Sequence, residues 1–254
     1  MDTIAEWLGT LDDEPAAAAS PRERILRAAA ALLAAGGREA VSTRAVSAAA
    51  GVQPPTIYRQ FGDMRGLLDA VADDGFARYV RAKRAKAARV DTADPVADLR
   101  AGWDLHIGFG LANPALYALM YGDPRPEALS AAAVEARHLL ERLVQRVAEA
   151  GRLRVGIDRA TALLHAAGVG VVLTLIAVED AERDLTLSDL MREAILAAVT
   201  TDAPPGEASA LTGPGRVAGR AVALKAVLPE AASAFTPAER GLLAEWLDRL
   251  IRVP

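Results

Sequence analysis

Apolar residues recur along this chain at the three-to-four-residue spacing of a helix face, without the alternation of half-buried strands. The pattern predicts an all-α protein. In Pro21 to Ala35, Ile25, Ala29, Leu32 and Leu33 share one side, and Gly36-Gly37 ends the helix. The next helix begins at Ser42 or Thr43, whose hydroxyls can accept from the free N–H groups of a helix start. Val46 and Ala50 lie four apart on its inner face, while Ser47, Ala48 and Ala49 keep it slim. Gly51 stands where that helix must end left-handed, which glycine does without a Cβ penalty, and Val52 plugs the corner. Gln53 is a candidate cap for a second helix whose first turn holds Pro54-Pro55, where a missing N–H costs nothing. Ile57 and Phe61 point back to the core, leaving Pro54, Pro55, Thr56, Tyr58, Arg59 and Gln60 on the outer face. That arrangement is a helix-turn-helix with the second helix as reader.

Beyond it, Gly62-Asp63 caps a long helix to about Ala88 with Leu67, Leu68 and Val71 as its stripe. Asp91 to Pro95 is a break, after which Leu99, Trp103, His106, Ile107 and Gly110 mark a helix. Asn113-Pro114 ends it and starts a short helix carrying Leu116, Tyr117, Met120 and Tyr121. Gly122 to Pro126 is a turn, and Glu127 to Ala150 a long helix stopped at Gly151. Asp158 is a good N-cap for the next helix, in which Ala160 to Val178 carry no formal charge over nineteen residues. Such a length could span a membrane. Seven of those nineteen are Ala or Gly, however, and neither an aromatic belt nor a basic cluster flanks them. A helix apolar all round equally suits the centre of a helical domain or a dimer interface, with Gly168 and Gly170 allowing close approach. Both long helices look too apolar for a monomer surface and predict a four-helix, two-fold interface. Leu185 to Val199 and Val217 to Leu228 add helices on either side of a Pro- and Gly-rich linker, Thr200 to Pro214. Thr236-Pro237-Ala238-Glu239 is a capping box opening a last helix through Ile251.

At 254 residues and 52% hydrophobic content, the chain can bury a large core as one or two domains. Aromatics make up only 4%, so Ala, Leu and Val must build it. With no cysteine, disulfides, thiolate metal sites and a cysteine nucleophile are excluded. No charged-then-apolar opening marks secretion, and a cytoplasmic location is expected. His106, His138 and His165 fall on three different predicted helices, away from metal-ligand spacing. Zinc-protease, Walker and nucleophile-elbow patterns are missing, so no catalytic residue, metal or cofactor is expected. Charge is unevenly spread. Residues 20–90 hold 13 Arg or Lys against 6 Asp or Glu, a balance of +7, leaving −11 elsewhere for a total of −4. A basic N-terminal quarter on an acidic chain is expected where one domain meets phosphates. Within it, a solvated helix face accounts equally well for Arg78, Arg81, Lys83, Arg84, Lys86 and Arg89.

Three short helices before a longer one, with the segment Thr43 to Val71 (TRAVSAAAGVQPPTIYRQFGDMRGLLDAV), resemble the tetracycline-repressor (TetR) family of bacterial regulators. The resemblance is specific over the first third of the chain and architectural afterwards. It implies a homodimeric, non-enzymatic regulator of double-stranded DNA, a repressor that releases a palindromic operator when a small, mostly apolar ligand binds. It also implies a division into a tail at 1–20, a DNA-binding domain at 21–66, and a ligand and dimerisation domain at 67–200. A loop and helical extension follow at 201–254. For DNA it implies Thr43 and Tyr58 as phosphate contacts and Arg44 as a base reader. Gln53, Pro54, Pro55, Thr56, Arg59 and Gln60 lie on the reading helix. The family often carries lysine where Met64 stands, which leaves Arg65 as the candidate substitute. Trp103, His106, Phe109, Asn113, Tyr117, Tyr121 and His165 are the candidate ligand pocket. The alternative is a helix-turn-helix regulator whose second domain only dimerises or recruits a protein.

Overall fold

The computed structural model describes residues 20–87, 94–122, 131–201 and 214–252. Among them eleven α-helices carry almost all the regular structure, with one isolated bridge, Leu153 to Thr200, in place of any sheet. In chain order they are α1 (Pro21–Ala40), α2 (Thr43–Ala50), α3 (Pro54–Phe61), α4 (Met64–Ala87), α5 (Pro95–Ala112) and α6 (Pro114–Tyr121). Then follow α7 (Ala131–Glu149), α8 (Ile157–Ile176), α9 (Thr186–Val199), α10 (Pro214–Val227) and α11 (Pro237–Ile251). The anticipated segments 1–19, 88–93 and 202–213 and the turn after Gly122 lie outside the described residues.

Local chemistry accounts for the boundaries. Ser20 and Glu23 form a capping box at the start of α1, and Thr236 and Glu239 do the same for α11. The predicted stop at Gly36-Gly37 is a kink: both leave helical geometry, Gly37 at φ 67°, before one more turn to Ala40. Asp63 accepts from the Gly66 N–H at 2.7 Å and so caps α4. Two expected caps differ. Asp158 lies inside the first turn of α8, which begins one residue earlier. Gln53 precedes α3 but makes no side-chain cap bond, because Pro54 and Pro55 leave it few N–H groups to satisfy.

The chain divides into two compact units. The first comprises Met1–Arg89, Leu105–Ala136 and Val172–Arg183; the second comprises Val90–Asp104, Arg137–Val171 and Asp184–Pro254. In the first, Ile25, Ala29 and Leu33 meet Val46, Ile57, Leu67 and Val71, and Ala115, Leu116 and Leu119 of α6 pack against that core. In the second, Val96 and Leu99 meet Val144, Val147, Ala160, Leu164, Leu196, Val199 and Val222. Thr200 and Thr201, expected at the start of a loop, are buried, the Thr201 N–H donating to the Arg152 carbonyl at 2.8 Å. By length and composition α8 could cross a membrane, and 39% of its apolar window is buried. The apolar side of α7 is covered by its own chain through Leu139, Val144 and Val147, so it is not the free interface face its composition suggested.

Candidate nucleic-acid interface and aromatic cluster

The reading unit is built on one rule: apolar residues hold three short helices, and the polar ones are left outside. Ser42 caps α2 by accepting from the Ala45 N–H at 3.3 Å. Gly51 closes α2 at φ 62°, ψ 41°, a left-handed state that any side chain would strain. Arg24 of α1 donates to the Ala50 carbonyl at 3.2 Å, fastening the corner from behind. Ile57 is fully buried beneath α3, and Arg22 lies 5.0 Å over the Phe61 ring at its far end. Gly66 permits the sharp entry into α4, since a Cβ there would sit 2.1 Å from the Phe61 carbonyl oxygen.

What remains faces solvent. Gln53, Pro54, Pro55, Tyr58, Arg59 and Gln60 are exposed on α3, with Thr56 half-buried. Arg44 on α2 and Arg65 on α4 are exposed as well. Neither α2 nor α3 contains an acidic residue, so the face is uniformly neutral or cationic. Thr43 Oγ1 and Tyr58 OH hydrogen-bond at 3.1 Å across the turn, an arrangement the sequence did not announce. That bond holds two hydroxyls side by side, as suits contacts to one phosphate.

The candidate ligand residues fall into separate groups. In the first unit, His106 accepts or donates at both ring nitrogens: Tyr79 OH meets Nδ1 at 2.7 Å and Tyr117 OH meets Nε2 at 2.8 Å. Phe109 stacks at 4.6 Å on Tyr79, and Tyr121 packs at 4.6 Å on Tyr117 and edge-on at 5.5 Å to Phe76. Burial pushes the phenols of Tyr79, Tyr117 and Tyr121 well above their usual range, so all three stay neutral donors. Asn113 donates to the Phe109 carbonyl at 3.0 Å and ends α5. Trp103 and His165 belong to the second unit. There the Trp103 indole donates to Ser188 at 3.0 Å, and His165 is exposed on α8. Tyr79, Phe76 and Lys83 were missed as partners because α4 showed only its stripe and its charges. The i, i+3, i+7 spacing of Phe76, Tyr79 and Lys83 was the available signal.

Comparison with known proteins fits this geometry. The sequence model of bacterial regulatory proteins of the tetR family matches residues 25–71. Residues 25–71 belong to the TetR family. No curated protein matches the chain. Among solved structures, a protein of unknown function from Rhodococcus sp. RHA1 is similar at TM-score 0.62 and 24% identity, over 74% of this chain and 100% of that one. A TetR-family transcriptional regulator from Streptomyces coelicolor is similar at TM-score 0.52 and 20% identity, over 70% and 96%. RolR in complex with the ligand resorcinol is similar at TM-score 0.53 and 22% identity, over 70% and 87%. These likenesses show a TetR-like fold of an N-terminal helix-turn-helix with a C-terminal helical domain. Residues 25–71 are a DNA-binding domain of that family's type.

Proposed function

We propose that this regulator is a homodimeric repressor that reads a palindromic operator with α3 and releases it when a small, mostly apolar molecule binds its helical domain. The observation that carries the reading is α6. One side of this eight-residue helix packs Ala115, Leu116 and Leu119 against the core of the DNA-binding unit. The other places Tyr117 and Tyr121 in the His106 cluster. A molecule that parts the cluster must move α6, and α6 cannot move without disturbing the seat of α1 and α4. The two ends of the coupling are therefore in one rigid element, as a switch requires. RolR was solved with a phenol, resorcinol, which supports an aromatic ligand class here.

In this reading Thr43 and Tyr58 hold the phosphate backbone and Arg44 reads a base. Gln53, Pro54, Pro55, Thr56, Arg59 and Gln60 face the major groove, with Arg65 as a further backbone contact. Residues 21–66 form the head and 67–200 the sensing and dimerising part, extended by 201–254. The protein works where the chromosome is, in the cytoplasm. The test is operator selection from random DNA followed by ligand titration. A palindrome with half-sites about one helical turn apart is expected. A bound ligand must weaken the operator by the same factor by which the operator weakens the ligand. Recovery of no preferred sequence, or a ligand whose affinity ignores the operator, would count against the proposal.

A further inference from the structure

We propose that the α4–α5–α6 cluster takes a ring-bearing organic anion, and that Lys83 is the residue that pairs with its carboxylate. The inference rests on the ligand-responsive reading above and narrows the ligand to one chemical class. Lys83 lies one turn beyond Tyr79, and its ammonium sits 4.7 Å over the Tyr79 ring. Flanking arginines of the same helix have carboxylates, Arg78 with Asp74 and Arg84 with Glu135. Lys83 has a ring face instead. Burial lowers its amine from the usual lysine range to about 8, and among the described residues no carboxylate pairs with it.

The Lys83 ammonium is partly desolvated against the Tyr79 ring, and among the described residues no carboxylate neutralises it. An incoming carboxylate gains an attraction stronger than in bulk water, as pairs near a protein surface do. The rest of the cluster suits the organic part of such a molecule. Tyr79 and Tyr117 are nearly or wholly buried and form an aromatic floor. Lys83, His106 and Tyr121 are half-exposed and form its polar rim. The Tyr121 ring stands edge-on to Phe76 at 5.5 Å and beside Tyr117 at 4.6 Å. A ligand ring taking its place inherits both contacts. Apolar walls with a few oriented polar groups are the ordinary make-up of a small-molecule site.

The experiment compares 2-naphthoate with its neutral isostere 2-naphthamide by calorimetry on the full chain, for wild type, Lys83→Met and Lys83→Arg. Wild type should bind the acid at least about tenfold more tightly than the amide. Lys83→Met should lose that preference while keeping its affinity for the amide, and Lys83→Arg should restore the preference. Circular dichroism establishes that each variant is folded, and the arginine variant keeps the question answerable if the methionine variant is not. Equal affinities in wild type, a preference that survives Lys83→Met, or no binding of the acid at millimolar concentration overturns the inference. Operator titrations separate the two proposals. If the amide alone binds and releases DNA, the sensor stands and the anion site falls. If the acid binds through Lys83 and DNA is unaffected, the anion site stands and the sensor falls.

Discussion

On the reading head, a guanidinium and a phenol a few residues from the turn are suited to different work. Arg44 is exposed on α2 with no acidic residue on its helix, so its five donors remain available to a base edge. Tyr58 is 46% exposed, yet its hydroxyl is already tied to Thr43, which fixes where it can meet a phosphate. Arg44→Ala should therefore cost about 1–3 kcal/mol and relax preference at one base pair in each half-site. Tyr58→Phe should weaken every sequence alike. Selection on random operators with each variant, read against anisotropy titrations, checks both; an unchanged base preference in Arg44→Ala would remove it from the reading role. The sequence made Ile57, Phe61 and Gly51 legible because helix period and backbone handedness are local properties. It could not show the Thr43–Tyr58 bond, which joins residues fifteen apart, nor that Gly66 has no room for a Cβ.

Between elements, the same limit appears in the ion pairs. Helical spacing identified both α5 and α9, but nothing in it predicted that Arg100 of α5 would donate twice to Glu193 of α9, at 3.1 and 2.9 Å. Arg192 adds a bond to Glu193 at 2.9 Å and reaches Asp104 of α5 at 2.6 Å. Trp103, a candidate pocket residue, ties the same two helices through the bond from its indole to Ser188. Hydrogen bonds from Arg100 and then Arg192 depress the Glu193 carboxyl to about 2. The unfolded chain binds that proton near 4.3, so the network's contribution is fully present above that pH. It fades as the pH falls from about 4.3 towards 2, where the folded group at last protonates. Glu193→Gln should be less stable than wild type at neutral pH, by a modest amount since the pair is half-exposed and screened. The gap should close across that acid window. Denaturant unfolding of both proteins at a series of pH values measures it, and a gap independent of pH would show that Glu193 acts by packing rather than by charge.

For the whole molecule the question is which surface meets a second copy. Sequence pattern pointed to α7 and α8, because hydrophobic content shows that a helix is covered but not by what. In the structure the apolar side of α7 lies within its own unit's core. Besides residues of α10 and α11 such as Val217, Leu224, Leu242 and Trp246, that unit exposes apolar residues on α8 and α9: Leu163 is 40% exposed and Leu190 69%, with Ala162, Ala166, Ala194 and Ala197 also exposed. Both helices turn their other sides into that core through Ala160, Leu164, Leu196 and Val199, so each is amphipathic in the sense an interface requires. Two copies pairing α8 and α9 with their mates would form the four-helix contact that the proposed dimer requires. Gly170 separates monomer from dimer effects, because no atom lies within 4 Å of where its Cβ would stand. Gly170→Leu should thus leave the isolated chain folded and overpack the pair, at about 1–3 kcal/mol. Leu190→Glu should add a buried charge to the same surface and dissociate it further. Sedimentation at micromolar concentration should give a wild-type dimer and a monomer for Leu190→Glu, with loss of palindrome binding in step. A wild-type monomer, or a Leu190→Glu variant that remains dimeric with full operator affinity, would place the two-fold contact elsewhere.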